Sequence, residues 1–359
     1  SFDFAQDDSP SLFARDGEPK ANQKDGEQSR TICGLVIGNC MHPLLDKYLQ
    51  TIKSFIPAKS AVFSVGLDIG PESCRAIELV KSADSFEILN WAVEPMENAD
   101  LETAVKKIAA RLSLSSKAPY TAVSGKGTLI RYIDMPRMPR EDLKKSFDLE
   151  ADRYFPFARE QIYTDCYILN PETPQKQMSV LVAAAKKAII DERMELLTRL
   201  GFISSFIGIN PLAIANVFHA FRKVIPKDTS SGAVQPTGWA VLDMEEVGST
   251  LLVLVDHLPR FNRDIFVGGK DLTKRISNLL GVSLAEAREL RQEPRDRLAE
   301  ILNICESVLM NLVSEVRFSF DYFTTEHNIP ISKLFLSGGS SLLSGVLESF
   351  SKNLDIPVE

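Results

Sequence analysis

The chain has 359 residues, of which 44% are apolar and 25% are charged, as expected of a globular protein large enough for two domains. Its formal net charge is −7 and it has no stripe of lysine and arginine, which argues against nucleic acid as a partner. The five cysteines form no C-x-x-C pair and no apolar run reaches the roughly 18 residues of a membrane-spanning helix, so we predict no disulfide framework, zinc site or membrane span.

The first 60 residues divide into two parts. Residues 1–30 are polar and charged and predict disorder, and because Met41 begins the stretch before the first strand, we interpret residues 1–40 as a disordered or non-native extension. Residues 41–60 predict an amphipathic helix, because its apolar residues share one helical face: Leu45, Tyr48, Leu49, Ile52, Phe55 and Ile56. We expect this helix to pack on its own domain, and an interfacial membrane contact is the alternative.

The stretch "SVGLDIGPESCRAIELVK" predicts a β-hairpin, since an apolar strand at 61–67 ends in Asp68 and a second strand follows at 74–80. Gly70 and Pro71 mark the turn between them. Taken alone, Asp68 could simply cap the turn, as Asp commonly does.

A second stretch, "WAVLDMEEVGSTLLVLV" at 239–255, has the same form and ends its first strand in Asp243. Two such hairpins about 175 residues apart predict a duplicated unit. Each copy continues in the order β-β-β-α-β, through 86–93, 101–114 and 120–124 in the first and 260–267, 271–280 and 333–336 in the second, where further helices reach about residue 327.

Between the two copies lies a small unit of mixed pattern. Strands are predicted at 128–133, 164–169 and 178–184 and helices at 141–152 and 188–200. A stretch rich in Gly, Pro and Ser at 226–238 is interpreted as a linker.

Two hairpins whose tips face each other across a cleft place backbone N–H groups and hydroxyls around a phosphate chain, while Asp68 and Asp243 could hold Mg²⁺. A third stretch, "LFLSGGSSLLSG" at 334–345, predicts a strand, a double glycine and a helix start. Gly338 and Gly339 would let the backbone approach a ligand closely. Together the three stretches predict a nucleotide site.

These stretches resemble the PilM branch of the actin/FtsA/Hsp70 superfamily, the actin-like ATPases of type IV pilus assembly. The resemblance runs from about Met41 onward and includes "LIRYIDMPRMPREDLKKSFDLEADRYFPF", which generic actin-like kinases lack. It implies an α/β fold with two ribonuclease-H-like halves and a small inserted SHS2-like β-α-β-β domain. The implied domains are a first half at 61–127 and 206–235, the insert at 128–205, and a second half at 236–359 that is truncated at its C-terminus.

The resemblance also implies ATP and Mg²⁺ as cofactors, with the metal near Asp68 and Asp243. The residues implied to contact the phosphates are Gly70, Ser73, Arg75, Ser249 and Thr250. Those implied to line the nucleoside pocket are Gly268, Gly269, Lys270, Thr273, Gly338, Gly339 and Ser340. Arg288 and Arg291 stand in "LAEARELR", where the family has an Ala-Glu…Lys pattern, and are assigned to the same cofactor site.

Glu245 departs from the family pattern, which has glycine at this position. Its carboxylate would lie near the phosphates, and like-charge repulsion would weaken ATP binding to a degree that depends on screening. We therefore expect at most a slow ATPase and assign no catalytic residue.

The resemblance implies a cytoplasmic scaffold, peripheral to the inner membrane, that docks the N-terminal peptide of a PilN-like membrane protein and meets other platform proteins of the pilus. An FtsA-like division protein is the alternative. A small-molecule kinase would need a general base beside a substrate pocket, and the insert offers no such carboxylate or histidine.

Overall fold

The computed structural model describes residues 62–81, 86–96, 100–112, 118–170, 176–204, 206–220 and 236–359. Its strands are β1 (Val62–Ile69), β2 (Ser73–Lys81), β3 (Phe86–Pro95), β4 (Tyr120–Val123), β5 (Thr128–Pro136), β6 (Ile162–Ile168), β7 (Gln177–Lys186), β8 (Phe206–Ile209), β9 (Gly238–Met244), β10 (Ser249–Val255), β11 (Leu258–Ile265) and β12 (Ile331–Ser337). Its helices are α1 (Leu101–Leu112), α2 (Arg140–Tyr154), α3 (Lys187–Arg199), α4 (Asn210–Ala220), α5 (Gly269–Leu280), α6 (Leu284–Gln292), α7 (Leu298–His327) and α8 (Val346–Asn353). The predicted extension at 1–40, the predicted helix at 41–60 and most of the predicted linker at 226–238 lie outside the described residues.

The first half is built on a five-stranded sheet with the order β3-β2-β1-β4-β8. β1 and β2 form the predicted antiparallel hairpin, in which Asp68 pairs with Arg75. β4 and β8 join in parallel, which requires crossover connections, and these contain α1 and α3. Burial alternates along β2, so that Cys74, Ala76 and Val80 lie on the buried face.

Both crossover helices contribute to the core of this half. In α1, Ala104, Ile108 and Leu112 recur every fourth residue and are buried against the sheet. In α3, Leu196 and Leu197 belong to the same core cluster. The predicted inserted domain, which ends at residue 205, includes this helix, whereas its packing favours assigning α3 to the first half.

The second half repeats the arrangement with the order β11-β10-β9-β12. Asp243 pairs with Thr250 in the β9–β10 hairpin, in the same register as Asp68 and Arg75 in the first. β12 lies parallel to β9, and Val358 adds a parallel bridge to β12 at the place that β8 takes in the first sheet. The predicted β-β-β-α-β duplication is confirmed.

The core of the second half is apolar and dense. Leu242 and Leu251 of the sheet and Phe323 and Phe350 of α7 and α8 are fully buried. α7 has 30 residues and contributes much of this core. Among the described residues, no helix combines the length and apolar character that a bilayer span requires.

The inserted segment forms an antiparallel sheet of order β5-β7-β6, reached in the predicted order strand, helix, strand, strand. α2 covers one face of this sheet, where Phe147 is buried. On the other face, Ile130 and Leu181 pack with Ile209 and Leu212 of β8 and α4. The insert is therefore seated on the first half.

Candidate nucleotide site

The tips of the two duplicated hairpins meet across a cleft between the halves. Arg75, near the start of β2, donates through Nη1 and Nη2 to Oε1 and Oε2 of Glu245, at 2.9 and 3.2 Å. This is a bidentate ion pair, the geometry in which guanidinium and carboxylate groups bind most strongly. Arg75 Nη1 also lies 3.4 Å from Asp68 Oδ2. Glu245, expected from the sequence to face the phosphates, instead binds the arginine predicted to contact them.

A second ion pair crosses the cleft. Arg288 Nη2 of α6 lies 2.7 Å from Oε2 of Glu72, which stands in the β1–β2 turn. The two pairs have opposite polarity, since the first half supplies the cation in one and the anion in the other. Together they hold the first hairpin against both the second hairpin and α6.

The two carboxylates predicted to lie near the metal, Asp68 and Asp243, stand at the ends of β1 and β9. Burial raises the pKa of each; Arg75 opposes the shift at Asp68, and Glu245 adds to both shifts. Asp243 also accepts a hydrogen bond from Ser337 Oγ at 2.6 Å, which lowers its pKa in part. The described residues include no group of three or more acidic, His or Cys side chains arranged to hold a metal ion.

The second hairpin turn is bonded to the start of α5. The N–H of Gly269 donates to the Glu245 carbonyl at 3.0 Å, and that of Lys270 donates to the Glu246 carbonyl at 2.8 Å. A Cβ on Gly268 would lie 2.7 Å from both of these carbonyl oxygens. This double glycine, which the resemblance implied to line the nucleoside pocket, here allows close approach of the neighbouring turn's backbone.

A buried ion pair lies beneath this contact. Arg291 Nη2 donates to Glu246 Oε2 at 2.7 Å, and both side chains are almost fully buried. Arg291 Nη1 and Glu246 Oε1 are buried without a hydrogen-bond partner among the described residues. A Cβ on Gly269 would overlap Arg291 Nη1 and Ser340 Oγ. In the region predicted as the nucleoside pocket, Arg291 Nη1 therefore lies against Gly269 and Ser340 and beside the carboxylate of Glu246.

The third predicted stretch packs against the second hairpin and lies near Arg75 of the first. Gly338 has a φ of 87°, and a Cβ there would overlap the backbone of β9, so this position requires glycine. Ser340 Oγ donates to the Glu245 carbonyl at 3.2 Å. A Cβ on Gly339 would lie 3.8 Å from Arg75 Nη2, an ordinary contact distance. All three stretches that predicted a nucleotide site thus converge.

The hydroxyls of the second hairpin are engaged inside the second half. Ser249 Oγ donates to the Val267 carbonyl at 2.7 Å, and Thr250 Oγ1 donates to Asp264 Oδ1 at 3.1 Å. Among the described residues, neither hydroxyl bonds to the first hairpin. Their role as phosphate ligands stays a prediction.

Four further residues predicted for the site have ordinary structural environments: Gly70, Ser73, Lys270 and Thr273. The N–H of Gly70 donates to the Ser73 carbonyl at 3.1 Å and closes the first turn. Thr273 Oγ1 donates to the Gly269 carbonyl at 3.0 Å within α5. The side chain of Lys270 is exposed.

Sequence reasoning missed three residues of this site: Glu72, Glu246 and Ser337. Glu246 directly follows Glu245, and Ser337 directly precedes the double glycine at 338–339. Both residues lie within the motifs at 239–255 and 334–345, so their sequence neighbours already indicated that they belong to the site. Glu72 lies in a turn, where a charged residue usually indicates only exposure to solvent.

A sequence model of the family described as type IV pilus assembly protein PilM matches residues 66–359. The chain belongs to this family. The match includes every candidate site residue from Asp68 to Ser340. The resemblance to the PilM family is confirmed, and the chain is an actin-like protein of type IV pilus assembly.

Two solved structures have a similar fold. The match to the PilM–PilN type IV pilus biogenesis complex has 22% sequence identity and a TM-score of 0.71. It covers 83% of this chain and 88% of the matched chain. The match to the ethanolamine utilization protein EutJ from Carboxydothermus hydrogenoformans has 13% sequence identity and a TM-score of 0.52. It covers 88% of this chain and 92% of the matched chain. With the two sheets of repeated strand order, these similarities confirm the predicted actin-like α/β fold.

Replacing Glu246 tests the buried ion pair. We expect Glu246→Ala to lower the free energy of unfolding by about 3–5 kcal/mol, because it leaves Arg291 buried without a counterion. The double variant Glu246→Met, Arg291→Met should recover much of this loss. Urea denaturation measures both, and Glu150→Ala, whose carboxylate pairs with Arg153 on the surface, is the control with an expected loss of about 1 kcal/mol or less. Equal losses at Glu246 and Glu150 would contradict the assignment.

The raised pKa of Asp243 predicts a pH dependence. The folded state binds a proton at this carboxyl more readily than the unfolded state, so its contribution to stability falls as the pH rises through and above the unfolded pKa. We expect Asp243→Asn, which keeps an acceptor for Ser337, to raise the melting temperature at pH 7 and to lose this advantage towards pH ~4. Asp296→Asn, on an exposed turn, is the control. A gain that is the same at both pH values would refute this interpretation.

Proposed function

We propose that this PilM-family chain is a nucleotide-binding scaffold at the cytoplasmic face of the inner membrane, which docks the N-terminal peptide of a PilN-like membrane protein. The family match supports pilus assembly over the FtsA-like alternative. A similar solved structure is a PilM–PilN complex, which supports a PilN-like partner. The membrane association would come through this partner, and other platform proteins of the pilus would join the same assembly.

A cavity at the junction of the insert with the two halves supports the docking proposal. It has a volume of about 490 Å³. The first half contributes Lys126, the insert contributes Arg131 and Phe157, and the second half contributes Arg263 and Phe266. Exposed strand backbone, aromatic surface and cationic side chains suit an extended peptide that binds by backbone hydrogen bonds and side-chain pockets.

Of the three neighbouring aromatic residues of the insert, Tyr154, Phe155 and Phe157, only Phe157 reaches this cavity. Phe155 is buried in the core of the insert, and Tyr154 stacks on Phe147 with ring centroids 5.1 Å apart. Phe157 lines the cavity, and Lys186 Nζ lies 5.2 Å from the centre of its ring. Phe157 is therefore the aromatic anchor that we propose.

We propose ATP and Mg²⁺ as the cofactors of the cleft. The convergence of Gly269, Arg291 and Ser340 beside the second hairpin turn supports a nucleoside site, and Asp68 and Asp243 would hold the metal through water. Bound Mg²⁺ would offset the charge of the phosphates. Arg75 must leave Glu245 before it can bind a phosphate, so the pair competes with the nucleotide. This competition supports weak binding and at most slow hydrolysis.

The Glu245 proposal is tested by nucleotide titration. We expect Glu245→Gly to tighten ATP–Mg²⁺ binding by about fivefold or less, because it frees Arg75 from an ion pair that is about one-third exposed. The gain should shrink as salt rises. Calorimetry measures the affinity. Arg75→Ala in the same chain should abolish the gain.

Glu72→Gly is the matched control, because it breaks the other ion pair across the cleft without freeing Arg75. If Glu72→Gly and Glu245→Gly tighten binding equally, then loosening of the cleft, and not release of Arg75, is the cause. Equal affinities of wild type and Glu245→Gly would refute the competition.

The docking proposal is tested with a labelled N-terminal peptide of a PilN-like protein. We expect Phe157→Ala and Arg131→Ala each to weaken binding about tenfold, a loss of about 1.4 kcal/mol, because each removes a contact of the cavity. Fluorescence anisotropy measures the affinity. Nucleotide binding should not change in either variant.

Arg153→Ala is the control for this test, since Arg153 is exposed on α2 and does not line the cavity. Substitutions are preferable to deletion of residues 128–205, because that deletion would also remove α3 from the core of the first half. Unchanged peptide affinity in both cavity variants would exclude this cavity as the docking site.

A further inference from the structure

The long helix α7 carries an uncharged stripe along its exposed side. Its buried residues, among them Leu312, Val316 and Phe323, belong to the core of the second half. A second set of residues recurs every three or four positions on the opposite side, so its members share one helical face. All of them are exposed and none is charged: Ser307, Asn311, Ser314, Phe318, Tyr322 and Thr325.

This stripe has the composition of an interface. Phe318 is 66% exposed and Tyr322 is 58% exposed. Single apolar side chains are common on protein surfaces, but the outer face of a helix that meets only water is usually charged. Aromatic side chains and an absence of charge are typical of the buried centre of protein–protein interfaces. The stripe therefore indicates a contact surface that a single chain leaves uncovered.

Two opposite charges stand beside the stripe. Glu306 and Arg317 are eleven residues apart, which is about three helical turns, so they lie on the same side of it. Among the described residues neither forms an ion pair, and Arg317 donates to the carbonyl of Asn353. The stripe thus has an anion near one end and a cation near the other, on one flank.

We propose that a second copy of this chain covers the stripe, with the two α7 helices antiparallel about a twofold axis beside Asn311. This axis lies halfway between Glu306 and Arg317. An antiparallel pair brings the same flanks of the two helices together, so Glu306 of each copy lies level with Arg317 of the other. Both charges are then paired, and the contact occurs twice.

The shape of the stripe agrees with this register. Phe318 of one copy lies level with the gap between Asn303 and Ser307 of the other, whose short side chains leave room for a ring. At the axis the two Asn311 side chains meet, where each amide can donate to and accept from the other. Because one helical face per copy is a small interface, we expect a weak dimer with a micromolar Kd.

Sedimentation velocity of the full chain tests the proposal. Between about 1 and about 500 μM we expect the weight-average mass to rise from one copy towards two. Phe318→Glu should weaken the dimer at least about tenfold, because it places a carboxylate in the contact. Leu149→Glu is the matched control, since Leu149 is 69% exposed on α2 of the insert, and it should leave dimerisation unchanged.

Charge reversal tests the register without changing the aromatic residues. Glu306→Arg and Arg317→Glu should each weaken the dimer several-fold, because each puts like charges side by side twice. The double variant restores opposite charges and should dimerise within about twofold of the wild type. The bond from Arg317 to the Asn353 carbonyl is lost in Arg317→Glu and in the double variant alike, so it cannot explain a recovery.

Crosslinking measures the direction of the helices. With Cys33 and Cys40 replaced by Ser, the three remaining native cysteines are buried. Asn311→Cys lies at the axis and should be joined between two copies by a short bismaleimide. Thr325→Cys belongs to the same stripe, but its two copies would be roughly 40 Å apart along the helices, so it should not be joined.

Four results would each overturn the proposal. A chain that stays monomeric throughout this concentration range would leave the stripe to a different protein. A dimer that Phe318→Glu does not weaken would place the contact elsewhere on the chain. Crosslinking of Thr325→Cys as efficient as that of Asn311→Cys would show parallel helices. A double charge reversal that dimerises no more tightly than the single variants would refute the register.

Discussion

The ion pair of Arg75 with Glu245 sets the geometry of the cleft, because it joins the tips of the two hairpins on which each half is built. Both side chains are about one-third exposed, so the pair contributes about 1 kcal/mol or less. The Glu246–Arg291 pair directly beneath it is almost fully buried and is costly to break. The site therefore combines a partly exposed ion pair between the two halves with a buried ion pair inside the second half.

Much of the fold could be predicted from the sequence because the motif of an apolar strand that ends in Asp occurs twice. Asp68 and Asp243 each end an apolar strand, and the structure gives them the same register in equivalent hairpins. The packing of α3 could not be predicted from the sequence, because helical periodicity indicates that one face is buried but not which residues that face contacts. Leu196 and Leu197 bury against the first sheet although their helix follows the strands of the insert.

The location of the site could be predicted from the sequence, but the contacts between its side chains could not. Glu245 is 170 residues from Arg75, and no local pattern encodes a side-chain pair over that separation. Glycines were equally ambiguous, because a missing Cβ permits the approach of a ligand or of the protein's own backbone. Gly268 and Gly338 serve the second purpose in this structure, against the β9–β10 turn and the end of β9.

The short segment after β11 connects the cavity beside the insert with the cleft. Phe266 lines the cavity, and three residues later Gly269 begins the helix whose N–H groups bond to the turn that carries Glu245. A ligand that displaces Phe266 would act on a segment only three residues from Gly269. Ligands at the two places would then be thermodynamically linked, and whatever factor a peptide imposes on nucleotide affinity, the nucleotide must impose on peptide affinity in return.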